Sequence, residues 1–419
     1  MAVAGVMKIK KILTLITVVL AGEAIFMHPF LVPRLYRSLM MEVWDLNNVQ
    51  IGLAFTAYGI TAMFSYVLGG PFADKFEPRR LIVVSLLITV LGSGLLLYRP
   101  SAMIFIIAYG FFGVSTIFLM WSAMLKVTHQ IGGKGSRAFA MGVLEGGRGF
   151  VAALMSSFLV FIVSFQSDNA GDIENPSNTL RSIYLSISIF MIFASCIVWF
   201  GIKNTESRKV EVYKWTLARA KNMVGDVNLW LLSIIVLSAY CSYKNIGIYS
   251  LYLKDVKGMS ILEASKITSY IFWSRPVIAL LAGIFADKIA FKVRGGRFIT
   301  LLICFLFGAI SQLFFAYDFL ASFNVLFSTI IFSSCFAFAL RAIYFSVFGD
   351  LKIGDNVLGA AIGVVSLVGF LPDFFFGVLT GYFIDNFPGQ AGFSLVFLFN
   401  GLLLLIGALA SFICYRRIN

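Results

Sequence analysis

Ionisable side chains within the apolar segments are the residues of this sequence best suited to chemistry. A charged group in a bilayer interior is energetically costly, so each one is a candidate for solute binding, proton transfer or gating. The set comprises Glu23, Lys126, Glu145, Arg148, Lys244, Arg275, Arg341 and Asp373. Cations outnumber carboxylates in this set, and a cavity with excess positive charge attracts an anionic solute.

The carboxylates of this set, Glu23, Glu145 and Asp373, are candidates for proton coupling or gating. A carboxylate in a low-dielectric site can exchange a proton near neutral pH. Glu145 and Arg148 are three residues apart, which places both on one face of a helix. They can form a proton-linked gating pair or a self-neutralising structural pair. Asp373 follows Pro372 and could instead satisfy a broken helix.

A second candidate group combines cations and tyrosines that could contact the solute. Arg341 is the strongest of them, because no acid lies at helical spacing to neutralise it. Arg275 precedes Pro276, where a kink frees backbone carbonyls that the guanidinium could bond instead. The predicted solute-binding residues are Arg34, Lys244, Arg275, Arg341, Tyr240, Tyr243 and Tyr344.

The composition indicates the elements that position these residues. The chain is 60% hydrophobic and 13% charged, with a mean hydropathy of +0.92. A soluble domain cannot bury that much apolar surface, so the chain is predicted to be a polytopic membrane protein. At ~20 residues per helix, twelve spans are expected. They are 11–36, 48–73, 80–98, 102–127, 137–165, 180–202, 228–253, 262–286, 297–317, 322–349, 357–385 and 391–415.

The net charge of +13 is unevenly distributed among the loops. Most Lys and Arg residues fall in the N-terminal segment, the central loop and the alternate loops on the same side. The positive-inside rule makes that side cytoplasmic, with both termini there. The charge therefore indicates topology, and nucleic acid is not an expected partner. We expect a multi-pass protein of the bacterial inner (cell) membrane.

Catalytic and metal-binding patterns are missing from the sequence. The five cysteines fall in apolar segments without a pairing pattern, and we predict that they are small buried hydrophobic side chains. No phosphate-binding loop, metal-ligand cluster or nucleophile–His–acid set occurs. We therefore expect no enzymatic activity, no cofactor and no metal.

A glycine-containing charged turn occurs twice along the chain. The first copy contains Gly70, Asp74, Lys75, Arg79 and Arg80. The second, degenerate copy contains Asp287 and Lys288. Two copies in register indicate a duplicated six-helix unit. The polar stretch 203–227 is predicted to be a cytoplasmic linker between an N-terminal half, 1–202, and a C-terminal half, 228–419.

The first turn resembles the loop between the second and third helices of major facilitator superfamily transporters. This resemblance implies an all-α integral membrane fold of twelve transmembrane helices in two pseudo-symmetric six-helix halves. It also implies a conformational role for the two charged turns. Transporters built from such repeats bind substrate near the midplane and alternate access to it.

Four segments are similar to the organophosphate:anion antiporter branch of that superfamily. They are residues 30–34 (Phe-Leu-Val-Pro-Arg), the turn beginning at Asp74, residues 252–257 (Tyr-Leu-Lys-Asp-Val-Lys) and the turn after Asp287. The similarity implies phosphate binding by Arg34. The second phosphate-binding Arg of that branch would fall at Ser242, and the nearest cation is Lys244. The related anion:cation symporters, which carry carboxylates or sugar acids, are therefore an alternative.

The predicted function is secondary transport of a small organic anion by alternating access, with proton or anion coupling. The anion is a phosphate ester, a carboxylate or a sugar acid. Two alternatives keep the fold: an exporter of a hydrophobic or cationic compound, and a transporter-derived solute sensor. The expected partners are the small-molecule solute and the lipid bilayer, and the chain is expected to be a monomer.

Overall fold

Helices form nearly all of the regular structure in this protein. The computed structural model describes residues 2–132, 137–202, 225–320, 322–351 and 355–419, and contains no β-strand within them. A helix satisfies its backbone hydrogen bonds internally, as the bilayer interior demands. The predicted all-α membrane fold is therefore confirmed.

Each of the twelve predicted spans coincides with a helix or with a bent pair of helices. Within the described residues, nine helical segments, three of which join two consecutive helices, are long and apolar enough to cross a membrane. One further pair of helices is bent by 46°. The two remaining predicted spans correspond to helices Asn48–Lys75 and Pro78–Gly94. The latter has 17 residues, at the lower limit of length for crossing a bilayer. The predicted count of twelve is consistent with this arrangement.

The chain divides into two compact units, and the first consists of Met1–Val212 and Gly258–Pro276. Two π-helical segments, Met27–Leu31 and Val114–Trp121, connect α1 to α2 and α5 to α6. The helices of the first unit are α1 Ala2–Ala24, α2 Val32–Trp44, α3 Asn48–Lys75, α4 Pro78–Gly94, α5 Ala102–Gly113, α6 Ser122–Gly132, α7 Arg137–Ser164 and α8 Pro176–Gly201.

The second unit consists of Tyr213–Lys257 and Val277–Asn419. Its helices are α9 Val227–Asn245, α10 Tyr249–Asp255, α12 Gly296–Ala316, α13 Phe323–Ile343, α14 Asp355–Gly369, α15 Pro372–Asn386 and α16 Gln390–Ile418. Helix α11, Ile261–Lys292, contributes its first part to the first unit and its remainder, after Pro276, to the second. Residues 203–224 of the predicted linker lie outside the described residues, so the predicted boundary at 203–227 stays a prediction.

The helix that contains the end of the first predicted span continues beyond residue 36. The π-helical segment Met27–Leu31 accommodates Pro29, and α2 then runs to Trp44 with a kink at Tyr36, whose backbone angles are not helical. Arg37, one residue beyond that predicted end, is inside a helix and buried. Its Nε donates to Asn48 Oδ1 at 3.0 Å. The helix can continue past the apolar run because Asn48 provides a partner for this charge.

Small residues let helices of the first unit approach closely. A Cβ atom added to Gly147 would lie 2.8 Å from a methyl carbon of Val19. No ordinary Cβ contact is that short, so α7 can lie this close to α1 only with glycine at this position. This close approach brings Glu145 and Arg148, on either side of Gly147 in the sequence, near α1, which carries Glu23.

The cysteines are only partly placed as predicted. Cys241, Cys304 and Cys414 are buried, but Cys196 is exposed and Cys335 is intermediate. The prediction of burial was wrong for Cys196 because α8 has one face on the outside of the helical bundle. The neighbouring exposed side chains there, such as Phe193 and Phe200, are equally apolar.

Candidate functional site

The first unit contains a buried charge cluster centred on Arg148 of α7. Its Nε donates to Glu23 Oε2 of α1 at 3.1 Å, and its Nη1 donates to Glu145 Oε1 at 2.8 Å. The side chain of Arg148 is 5% exposed and that of Glu23 is 12% exposed, whereas that of Glu145 is 42% exposed. The predicted i,i+3 contact of Glu145 and Arg148 is therefore present, with Glu23 as an additional partner.

Arg275 of α11 completes the cluster. Its guanidinium lies 3.6 Å from Glu23 Oε1 and 3.9 Å from Glu145 Oε2. These contacts with carboxylates favour a role for Arg275 in the cluster over hydrogen bonding to the backbone carbonyls near Pro276. Two arginines face two carboxylates, so the formal charges balance, and buried charges persist only when they are paired in this way.

Aromatic side chains cover the centre of this cluster. The Arg148 guanidinium lies 5.1 Å from the ring centroid of Phe26 and 5.8 Å from that of Trp121. Cations are attracted to the faces of aromatic rings, more strongly where water is excluded. Trp121 ends the π-helical segment Val114–Trp121 and Phe26 immediately precedes Met27–Leu31. Both irregular turns therefore border the charge cluster.

Polar contacts that the sequence did not reveal hold α11 against α7. The hydroxyls of Ser156 and Ser269 lie 2.9 Å apart, and Trp273 Nε1 donates to Ser157 Oγ at 2.9 Å. Ser269 and Trp273 precede Arg275 on α11 by less than two helical turns. Isolated serines in apolar runs gave no signal by which a partner could be predicted.

The second unit contains another ionic group, at the facing sides of α9 and α15. Lys244 Nζ donates to Asp373 Oδ1 at 2.5 Å. The Tyr240 hydroxyl lies 3.0 Å and 3.2 Å from the two Asp373 oxygens, to which it donates. The Lys244 and Asp373 side chains are 9% and 13% exposed. Hence a predicted solute-binding cation and a predicted coupling carboxylate are partners of each other.

Arg341 of α13 lies beside this ionic group. Its guanidinium carbon is 4.2 Å from the ring centroid of Tyr243, and that ring stacks on Tyr240 with centroids 6.2 Å apart. The predicted residues Arg341, Tyr243, Tyr240 and Lys244 therefore form one continuous series of contacts that ends at Asp373. We call these five residues the second-unit site.

Tyr344 and Arg34, which were also predicted to bind the solute, contact aromatic rings. Tyr344 is buried and its ring packs edge-on against Phe345 at 4.5 Å. Arg34 belongs to the first unit, where its guanidinium is 5.8 Å from the Phe30 ring centroid. Their roles in solute binding stay predictions.

A buried amide and hydroxyl network in the second unit was missed by the sequence analysis. Asn245 Nδ2 donates to Gln312 Oε1 at 3.1 Å, and Gln312 Nε2 donates to Ser333 Oγ at 2.8 Å. The Tyr249 hydroxyl also donates to Ser333. Tyr249 and Tyr252 are buried, because Phe315 and Phe397 of other helices pack on both rings.

The first charged turn is anchored to the end of α8. The Arg79 guanidinium is 4.6 Å from the Trp199 ring centroid and donates to the Trp199 carbonyl at 3.3 Å. Arg79 and Arg80 both form ion pairs with Glu77 at 3.0 Å. Lys75 is exposed. Gly70 and Asp74 lie on α3, but their surroundings are outside what the structure describes.

The second charged turn is an ion-pair triad in the second unit. Arg297 donates to Asp287 at 2.8 Å and to Asp350 at 2.7 Å, while Lys288 is exposed. Burial raises the pKa of the Asp350 carboxyl above its usual value, an effect that the Arg297 guanidinium opposes. Within the described ranges, no group of three or more His, Cys, Asp or Glu side chains could hold a metal ion.

Comparison with protein families gives a match along most of the chain. The profile of the Major Facilitator Superfamily matches residues 14–376. The chain is 23% identical to inner membrane protein YqcE of Escherichia coli, over 92% of this chain and 90% of that protein. It is 25% identical to inner membrane protein YihN of the same organism, over 96% and 94%. It is 22% identical to the probable sulfoacetate transporter SauU of Cupriavidus necator, over 89% and 86%.

Solved structures share the fold at low sequence identity. A point mutant of the nucleoside transporter NupG superposes with a TM-score of 0.73 at 14% identity, covering 97% of this chain and 99% of that one. A bacterial homologue of the human lysosomal transporter Spinster, inward-facing and unoccupied, gives 0.72 at 15% identity, covering 97% of both chains.

Proposed function

Because this chain belongs to the Major Facilitator Superfamily, a family of membrane transporters, we propose that it is a secondary transporter of a small organic anion. The solute is a carboxylate, sulfonate, sugar acid or phosphate ester. The observation that supports this proposal is the second-unit site. Its charged members, Arg341, Lys244 and Asp373, carry a formal charge of +1.

The side chains of the second-unit site suit recognition of an oxyanion. A guanidinium presents several donors in a planar fork that matches two oxygens of a carboxylate, sulfonate or phosphate. Lys244 adds a compact charge, and Tyr240 adds a hydroxyl donor. Two aromatic faces, of Tyr240 and Tyr243, provide apolar surface for the carbon part of a small solute. The similarity to the probable sulfoacetate transporter SauU also supports an anionic cargo.

The charge cluster of the first unit is proposed as a gate. Arg275 lies 3.6 Å and 3.9 Å from its carboxylates, further away than Arg148, whose contacts are 3.1 Å and 2.8 Å. Its contacts are therefore the weaker ones and the first to open. Glu145 is the most exposed member of the cluster and the one that solvent reaches most readily.

The membrane setting follows from the spans and the relatives. Two similar proteins are named inner membrane proteins, and we place this chain in the inner (cell) membrane of a bacterium. The excess of Lys and Arg on one side supports cytoplasmic termini. The two charged turns, with Asp287 and Arg79 among their members, are proposed to stabilise one conformation of the transport cycle. The proposed working form is a monomer in the lipid bilayer.

A ligand panel tests the class of solute. Thermal unfolding of the purified protein is measured with gluconate, sulfoacetate, glycerol 3-phosphate, uridine and tetraethylammonium. A ligand at a hundredfold excess over its Kd stabilises the folded state by about 2.7 kcal/mol, so a binder raises the Tm. We expect stabilisation by at least one of the three anions and none by uridine or tetraethylammonium. Stabilisation by tetraethylammonium or uridine alone would refute the anion assignment.

A further inference from the structure

In the second-unit site, Lys244 is engaged by a carboxylate of the protein itself. Lys244 Nζ donates to Asp373 Oδ1, and Tyr240 donates to both oxygens of the same carboxylate. Arg341 lies over the face of Tyr243. Within this site an incoming oxyanion therefore competes with Asp373 for Lys244 and Tyr240.

We propose that Asp373 is the coupling carboxylate of this transporter, taking up one proton as the anion binds and thereby releasing Lys244 to the anion. This inference rests on the proposed function and deepens it. The proton adds to a carboxylate oxygen of Asp373, and Lys244 remains an ammonium ion. No covalent bond within the solute forms or breaks.

The charges of the site determine the stoichiometry. Arg341, Lys244 and ionised Asp373 carry +1, and protonation of Asp373 raises this to +2. Binding one monoanion restores +1, so anion and proton together leave the charge of the site unchanged. Without the proton, a bound carboxylate would lie beside the Asp373 carboxylate, and like charges in a low-dielectric site repel strongly.

The surroundings of Asp373 favour this residue over the other carboxylates. Helix α9 faces it with Lys244, Tyr240 and Cys241. On its own helix the other acid is Asp385, at the opposite end. The cations of α16, Arg416 and Arg417, occupy its last turn, which in an antiparallel neighbour lies roughly 20 Å further along at 1.5 Å per residue. Lys244 is therefore the cation that protonation of Asp373 releases.

The carboxylates of the first unit are less suited to this exchange. Glu23 and Glu145 each contact both Arg148 and Arg275. Protonating either one removes one of two contacts from each arginine, and the second carboxylate still holds both. At Asp373 a single protonation changes the only carboxylate in the second-unit site.

Calorimetric titration in buffers of different ionisation enthalpy measures proton uptake on binding. The probe is gluconate or sulfoacetate, whichever raises the Tm more. The wild-type protein is expected to take up about one proton per bound anion, whether the anion is gluconate, with one negative charge, or sulfoacetate, with two. Its affinity should increase as pH is lowered. Asp373→Asn should bind the same anion with proton uptake near zero and with affinity that no longer depends on pH.

Asp385→Asn is the matched control, because it removes an exposed carboxylate from the same helix. It should keep wild-type proton uptake. Wild-type binding without proton uptake would overturn the inference while leaving anion binding intact, and so would full uptake in Asp373→Asn. Failure of every anion to bind would instead contradict the proposed function. Proton uptake by the wild-type protein tests the inference even if Asp373→Asn does not fold.

Discussion

Replacing Arg341 by glutamine should lower the initial rate of anion uptake by roughly 10- to 100-fold, because hydrogen bonds to charged groups contribute about 1.5–3 kcal/mol. Glutamine keeps a polar side chain of similar length but removes the charge and the planar fork. The measurement is uptake of radiolabelled gluconate or sulfoacetate into proteoliposomes. The Tm without ligand should change little, because Arg341 is only partly buried.

Two further variants sharpen this prediction. Arg341→Lys retains the charge without the fork, so its rate should fall between those of wild type and Arg341→Gln. Arg416→Gln removes an exposed cation at the last turn of α16, remote from the second-unit site, and should transport at the wild-type rate. Wild-type uptake by Arg341→Gln would exclude Arg341 from the anion site.

The largest effect on stability is expected for Arg148→Met. Methionine fills much of the same volume, but Glu23 and Glu145 would then lose their nearest cation while Glu23 stays buried. Breaking a buried ion pair by removing one partner destabilises a protein by about 3–5 kcal/mol. We therefore expect a large fall in the free energy of unfolding, measured by denaturant or thermal unfolding in detergent.

Matched variants separate burial of charge from simple loss of packing. Glu145→Gln changes a side chain that is 42% exposed, so its effect should be much smaller. Without Arg148, two carboxylates share Arg275. Adding Glu23→Gln to Arg148→Met removes the excess negative charge and should restore part of the lost stability. An Arg148→Met protein as stable as wild type would show that the cluster contributes little to the fold.

Local spacing determined how much of these sites could be predicted. The contact of Glu145 with Arg148 follows from an i,i+3 separation on one helix, and it was predictable. Glu23 and Arg275 are each more than a hundred residues along the sequence from every partner in the cluster. Only the packing of α1, α7 and α11 brings these charges together, and periodicity carries no information about it.

The same limit applies to burial. Tyr249 and Tyr252 lie near the end of the predicted span 228–253, and aromatic residues are common at membrane interfaces. Their burial depends on Phe315 and Phe397, which belong to other helices. Arg37 lies one residue beyond the predicted end of the first span, and its hydrogen bond to Asn48, eleven residues away, satisfies it within the protein.

Uptake by proteoliposomes is the most direct test of the proposal that this chain carries a small organic anion. Purified wild-type protein is reconstituted, and accumulation of labelled gluconate and sulfoacetate is followed with an inward proton gradient, with no gradient, and in protein-free vesicles. We expect saturable accumulation of at least one anion that the gradient increases and that Arg341→Gln largely abolishes. Accumulation no greater than in protein-free vesicles for every anion tested, with uridine or an organic cation transported instead, would contradict the account.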